Sequence, residues 1–345
     1  MKKEGNDKKV RNEKEGLLNF SKEMISALLT AFVFIVYVIQ AFMIPTGSME
    51  KSLLVGDFLL GLKFIYGAPV LPNVPFVWEN FWKFPGFSDP KRGDAVIFKY
   101  PGGEKKDYIK RCVAVAGDSI EIDIKRLIVN GKELTPPPNA KWDYGGNLRL
   151  GIKNFDKLYI PRKNDTLDIS NAGVREFIYY KHLVRQEHPY SNIRDEYRLF
   201  VDGKDFSDSS VLLNVDGQIT HGTFSMTDFD RLAKYSDWTF YAYHFDLFTR
   251  QFSSDSDLKI EKKLFLDGRE ISKYVCKYDN YFMMGDNRDN SADSRYWGFV
   301  NRNFIKAKAL IIYFSLKQEV PLYLLPVKIR WERLGKLIRN WDGGE

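Results

Sequence analysis

Two serines, one lysine and a cluster of aspartates and arginines are the residues here whose types and spacing could do chemistry. Residues 285–300 read G-D-N-R-D-N-S-A-D-S-R-Y-W-G-F-V, with three aspartates and two arginines directly after the apolar run Tyr281-Phe282-Met283-Met284. Hydroxyls and charges packed this densely beside a strand-like segment suggest a wired site rather than a solvated loop. Residues 44–49, I-P-T-G-S-M, put a hydroxyl on each side of Gly47, and a turn there would present Ser48 with its Oγ free. Serine alone is a weak nucleophile and needs a base within hydrogen-bond reach. Read alone, this motif is better taken as an ordinary turn at the end of a helix.

Residues 107–113, D-Y-I-K-R-C-V, supply a candidate base. Adjacent cations on a strand point to opposite faces, so one of Lys110 and Arg111 faces the packed side or a cleft unless a bulge intervenes. A desolvated lysine loses the advantage of its ammonium form, and its neutral amine becomes usable near neutral pH. A solvated Lys-Arg pair is the alternative. His182, His188, His221 and His244 are scattered and read as surface or core histidines. A Ser–Lys dyad is an established alternative to Ser-His-Asp.

Other segments must position these residues. The chain has 345 residues, a net charge of +7, 44% hydrophobic residues and 15% aromatics, enough for one large domain or two modest ones. A basic chain suits nucleic acid or an anionic membrane surface. Residues 24–44 favour the membrane: 21 residues carry no charge, and as a helix they would span ~30 Å, the thickness of the hydrocarbon core. The apolar run is too long for a cleavable signal, so a permanent anchor is expected. Seven basic residues, Lys2, Lys3, Lys8, Lys9, Arg11, Lys14 and Lys22, precede it, which predicts a cytoplasmic N-terminus and an exported bulk.

The expected organisation is a charged arm over 1–23, a transmembrane anchor over 24–44, a catalytic lobe over 45–135 and 263–345, and an inserted, smaller β lobe over 136–262. Asn130-Gly131 and Asp267-Gly268 signal hairpins. Residues 67–90, rich in Pro, Trp and Phe, read either as a loop with a small apolar cluster or as an edge lying on the bilayer. The tail from 320 to 341 mixes apolar residues with Lys328, Arg330, Arg333, Lys336 and Arg339; it lies on a membrane or covers its own core. Cys112 and Cys276 read as buried thiols, and a bridge between them stays open. No Cys/His spacing suggests a metal.

Taken together, the anchor, P-T-G-S-M-x-x-x-L-x-x-G-D (45–57), K-R-G-D-A-V-I-F (91–98), D-Y-I-K-R-C-V-A-V-A-G-D (107–118) and the 285–300 motif resemble bacterial type I signal peptidases, also called leader peptidases. The resemblance covers about residues 20–135 and 260–340. It implies a mostly β fold, with a catalytic lobe of antiparallel, partly barrel-like sheets. It also implies a membrane-anchored serine endopeptidase without metal or cofactor, facing the periplasm from the bacterial inner membrane and cleaving signal-peptide-bearing preproteins after small residues at A-x-A-like sites.

By motif position, Ser48 matches the nucleophile, Lys110 the general base and Ser291 the hydroxyl that orients the lysine. The Ser48 N–H and the hydroxyl of Thr46 would hold the oxyanion; serine is usual at position 46. Asp286, Arg288, Asp293 and Arg295 would support the Ser291 turn, Asp293 pairing with Arg295. Phe42, Ile44, Pro45, Met49, Leu53, Tyr108 and Ile109 would line a shallow apolar substrate pocket. The partners implied are preproteins and membrane lipids, not nucleic acid. A self-cleaving repressor peptidase shares the dyad but should carry a DNA-binding domain. A catalytically dead tethered binding protein would not need Ser48, Lys110 and Ser291 intact.

Overall fold

The computed structural model describes residues 2–68, 83–102, 106–123, 126–137, 140, 154–205, 210–215, 218–223 and 257–341. Most of the proline- and aromatic-rich stretch, 69–82, lies outside the described residues, as do 141–153 and 224–256 of the expected insertion.

The architecture is mostly β and antiparallel. The principal sheet contains eight strands. Strands β1 (Ile39–Met43), β2 (Asp57–Leu62), β3 (Ala95–Lys99) and β4 (Asp107–Ala114) are joined by Ile305–Ser315, Asn280–Met284 and Val300–Asn301, in the order β1, β2, Ile305–Ser315, β3, β4, Asn280–Met284, Val300–Asn301. Lys336–Leu337 adds to Ile305–Ser315. The long strand shifts register twice against β2 and once against β3. Such bulges bend a strand and raise its local twist, and the sheet curls into a half-barrel. Inside the curl, Ile44, Met49, Leu53, Leu59, Ala95, Ile97, Ala307 and Ile312 form one apolar core. β3 is buried at four successive positions, as expected of an Ala-Val-Ile-Phe run covered on both faces.

The expected anchor takes a different form. Helix α1 spans Lys2–Val33, a π turn covers Phe34–Val38, and β1 begins at Ile39. The uncharged run is therefore split between a helical part and an edge strand whose residues from Ile39 to Met43 pair with Leu62 to Phe58. Among the described residues, no helix is long and apolar enough to cross a membrane. The Val-Tyr-Val-Ile sequence at 36–39 is β-prone, and β2 offers it a ladder. On the helical part, Met24, Ile25, Leu28, Leu29, Phe32 and Ile35 are exposed.

The range 136–262 is not a detached β lobe in its described part. Asn154–Tyr159 pairs with Ser119–Asp123, and Thr166–Asp168 pairs with Lys273–Val275. A 14-residue helix, Val174–Glu187, packs Phe177, Ile178, Leu183 and Val184 into a core shared with Val113, Ile120 and Phe282. Apolar spacing at 174, 177, 178 and 184 is helical, and the Glu176 carboxylate accepts the Gly173 N–H at 3.1 Å. The strands Ile193–Val201 and Leu258–Leu266 with their short neighbours form a sheet of their own, and Leu264 enters the same core. Asn130-Gly131 and Asp267-Gly268 turn their hairpins with positive φ at both residues. Cys112 and Cys276 are free, buried thiols.

Candidate active site

β1 delivers the chain to a sharp turn. Its exit is held by Ile44 N–H to Asp57 O (2.9 Å) and Gly56 N–H to Ile44 O (3.0 Å). Thr46 remains extended, and Gly47–Met49 forms one turn of 3-10 helix. Met49 is buried beneath it, while Ser48 stays 9% exposed. As an early residue of a one-turn helix, Ser48 has no intrahelical acceptor for its N–H. That donor is left beside the hydroxyl-bearing side chain.

Asn287 clamps this turn. Its backbone N–H donates to Ser48 O (3.1 Å), and its Nδ2 donates to Gly47 O and to Glu50 Oε2 (3.0 Å each). Gly285 lies in the same contact: a Cβ there would come within 2.5 Å of Ser48 O and 2.2 Å of Ser291 Oγ. A side chain at 285 would push the two serines apart. Sequence reading did not single out Asn287 or Gly285, although both lie inside the 285–300 motif.

The candidate base comes from β4, which is paired on both sides. Lys110 is 4% exposed. Its Nζ donates to Ser48 Oγ at 2.6 Å and to Ile109 O at 3.1 Å. Burial pulls its pKa from 10.5 down to about 8, against the opposing pull of Asp293 and Asp286. A substantial fraction of neutral amine is thus available near physiological pH.

Arg111, the neighbouring cation, serves a different partner. Its Nε and Nη2 grip the two oxygens of Asp286 at 2.8 and 2.6 Å. Asp286 also accepts from Ser52 Oγ (2.6 Å). Burial favours the neutral Asp286, but Arg111 and Ser52 outweigh it and hold the carboxyl below its usual range. Asp293 forms the equivalent fork with Arg295 (2.8 and 2.9 Å) and accepts the Gly285 N–H (3.0 Å). Arg295 also donates to the Arg288 carbonyl. Arg288 is buried, and burial together with Arg295 brings its guanidinium down to about 10.

Ser291 lies behind the Ser48 turn. Its Oγ is buried and has no hydrogen bond to the Lys110 amine. The bare Gly285 position lets it sit close to the Ser48 turn. The amine is oriented instead by Ser48 and the Ile109 carbonyl.

A cleft of about 580 Å³ opens over the dyad. Phe42, Ile44, Pro45, Thr46, Met49, Tyr108 and Ile109 line it with Ser48 and Lys110. Leu53 does not: it is fully buried in the core below. Met43, Leu59, Ile97, Lys106, Asp107, Asn290 and Ala292 also line the cleft and were missed. Leu59 and Ile97 could have been found from strand alternation, since they share the face that β2 and β3 turn toward Ile44 and Met49. Among the described residues, no group of His, Cys, Asp and Glu is arranged to hold a metal ion.

A serine hydroxyl hydrogen-bonded to a buried lysine of depressed pKa, with a backbone N–H at the serine that the helical turn leaves unused, is the arrangement a serine hydrolase with a lysine base requires. The family model described as signal peptidase, peptidase S26, matches residues 17–314, and the chain belongs to that family of serine endopeptidases. It is 30% identical to Signal peptidase I of Aquifex aeolicus (strain VF5) over 285 residues, 81% of this chain and 78% of that protein. It is 29% identical to Signal peptidase I of Buchnera aphidicola subsp. Schizaphis graminum, over 96% of this chain and 89% of the relative. Signal peptidase I of Helicobacter pylori (strain J99) is 25% identical, over 94% and 93%.

Proposed function

We propose that this signal peptidase removes N-terminal signal peptides from exported preproteins with Ser48 as nucleophile and Lys110 as general base. The 2.6 Å contact between Lys110 Nζ and Ser48 Oγ at the base of an apolar cleft carries the reading. The neutral amine takes the Ser48 proton as Oγ attacks the scissile carbonyl. The tetrahedral oxyanion faces the Ser48 N–H and the Thr46 hydroxyl. The Lys110 ammonium returns its proton to the departing amine, which leaves an ester on Ser48. A water molecule, deprotonated by the same amine, then hydrolyses that ester and releases the signal peptide.

The preprotein would lie extended between the chain at 42–48 and β4. Phe42, Ile44, Met49, Leu59, Ile97 and Ile109 line the apolar floor against which the small side chains of A-x-A-like sites would lie. No step needs a metal or cofactor.

The same reading places the enzyme on the bacterial inner membrane, N-terminus in the cytoplasm and cleft on the periplasmic side. The exposed apolar side chains from Phe20 to Ile35 and the basic residues before them support it, as do Met43 beside the cleft and Leu322, Tyr323 and Trp331 on the tail. The decisive experiment is preprotein cleavage by detergent-solubilised wild type, Ser48→Ala and Lys110→Ala. Both variants should be inactive; cleavage by Ser48→Ala at the wild-type rate refutes the mechanism.

A further inference from the structure

The tail after the last long strand reaches the loop that follows the nucleophile. Arg330 N–H bonds Ser315 O (3.0 Å), Gly335 N–H bonds Ile312 O (2.9 Å), Ile338 N–H bonds Leu310 O (2.8 Å), and Trp341 N–H ends on Gly93 O (3.2 Å). Residues 330–341 therefore form a strap along the half-barrel, beyond the 17–314 stretch that defines the family match. Its outer face leaves Trp331 and Leu337 exposed, but Arg333 and Trp341 are 6% and 5% exposed.

The loop that follows Ser48 needs restraint. Lys51, three residues on, has φ of +73°, in the left-handed region that a residue with a side chain rarely adopts. Strained backbone persists where its surroundings over-determine it. Much of that restraint comes from the strap. Arg333 Nη2 donates to Ser52 O (3.1 Å), while its Nε and Nη2 fork onto Asp57 (2.9 and 2.5 Å) at the loop's far end. Arg330 Nη1 donates to Val55 O (2.9 Å) between them. Asp57 is fully buried and also accepts from Leu54 N–H and Ser315 Oγ.

A second grip lies behind the first. Ser52 Oγ bonds Asp286, Asp286 pairs with Arg111, and Arg111 Nη1 donates to the strap's Arg339 O (3.2 Å). Arg111 follows Lys110 on β4, so one strap touches the chain beside each member of the dyad. No strap residue lines the cleft. The contacts are thus aimed at the catalytic groups' supports and leave substrate binding alone.

We propose that residues 330–341 are a positioning strap for the nucleophile turn, with Arg333 acting through Ser52 and Asp57 to fix where Ser48 sits relative to Lys110. The inference rests on Ser48 being the nucleophile. The guanidinium fork suits this task because it spans a carboxylate and a carbonyl at once, which an ammonium cannot do with the same geometry. A displacement of about 1 Å at a reacting group costs on the order of 100-fold in rate. Loosening the strap should therefore act on kcat.

The test is steady-state cleavage of a signal-peptide substrate by the full-length detergent-solubilised enzyme. Wild type, Ser48→Ala, Arg333→Ala and Arg333→Lys are compared well below each melting temperature, with folded fraction taken from circular dichroism. Arg333→Ala is expected to lose about 10- to 100-fold in kcat per folded molecule, with KM within about twofold of wild type. Arg333→Lys keeps a cation against Asp57 and should fold like wild type, yet lose several-fold in kcat because the Ser52 carbonyl is released. Wild-type kcat in folded Arg333→Lys, or a loss that falls on KM instead, overturns the strap's role even if Arg333→Ala does not fold. Full activity in Ser48→Ala would instead overturn the assignment of the nucleophile, so the two failures are distinct.

Discussion

The pH dependence of cleavage offers the sharpest test of the dyad. Lys110 must lose its proton before it can accept one from Ser48, and burial brings its pKa from 10.5 to about 8. At pH 7 roughly one molecule in ten then holds a neutral amine, whereas an unshifted lysine would offer about one in three thousand. The gain is about 300-fold in competent enzyme at no change in geometry. The rate parameter kcat/KM reports groups of the free enzyme. It should rise about tenfold from pH 6 to 7, reach half its maximum near pH 8 and level off about one unit higher. Asp293 and Asp286 both favour the charged amine. Asp293→Asn should therefore shift the rising limb to lower pH, even though it also weakens the Gly285 contact and lowers the plateau. Cleavage of a soluble signal-peptide substrate from pH 5.5 to 10 measures both. A limb centred near 6.5 would implicate a histidine. A limb above pH 10, or one that moves upward in Asp293→Asn, would refute the burial argument.

Three further outcomes follow from the same geometry. Lys110→Met should abolish cleavage yet stabilise the fold at pH 7 by up to about 3 kcal/mol, because a lysine whose folded pKa is below its unfolded one opposes folding at low pH. The gain should shrink as pH rises from 8 toward 10.5, and chemical denaturation across that window checks it. Thr46→Val removes one oxyanion donor and should lower kcat by ~100-fold or more, about 3 kcal/mol of barrier, while Thr46→Ser should stay near wild type. Asn287→Ala should lower kcat by on the order of 10- to 100-fold with KM little changed, since its contacts fix the turn at Gly47 and Ser48 and it does not line the cleft.

Much of the site was legible in the sequence because its chemistry is written in residue types. A turn-borne serine without a suitable histidine, and a lysine on a strand, pointed to each other across 62 positions, and they lie 2.6 Å apart. What escaped depends on tertiary geometry. Asn287 stands in the most conspicuous motif of the chain, but its clamp on Ser48 exists only because a 3-10 turn from residues 47–49 meets it. Leu53 looked like its apolar neighbours, yet it falls on the inner side of the loop and fills the core. The apolar run at 24–44 carried no mark of its division: hydropathy is indifferent to helix and strand, and the partner β2 decides where the helix stops. The helix Val174–Glu187 was overlooked among the short apolar runs around it, although its spacing was available.

The charges around the dyad show why the site needs so much scaffold. In the proposed mechanism Lys110 serves as base because it is poorly solvated, which makes the folded enzyme hold a group that opposes folding below its unfolded pKa. Asp286 and Asp293 stand close enough to influence that amine. Left unpaired, they would both cost stability and return Lys110 toward its charged form. Each is therefore gripped by a forked arginine, Arg111 or Arg295, which offsets part of its field and fixes its direction. The same forks carry position as well as charge: Asp293 accepts from Gly285, Asp286 from Ser52, and these two backbone segments flank Ser48. Removing a carboxylate should thus move two observables at once. The lysine becomes easier to deprotonate, while the serine becomes harder to keep in place, so the pH limb and the plateau rate fall together.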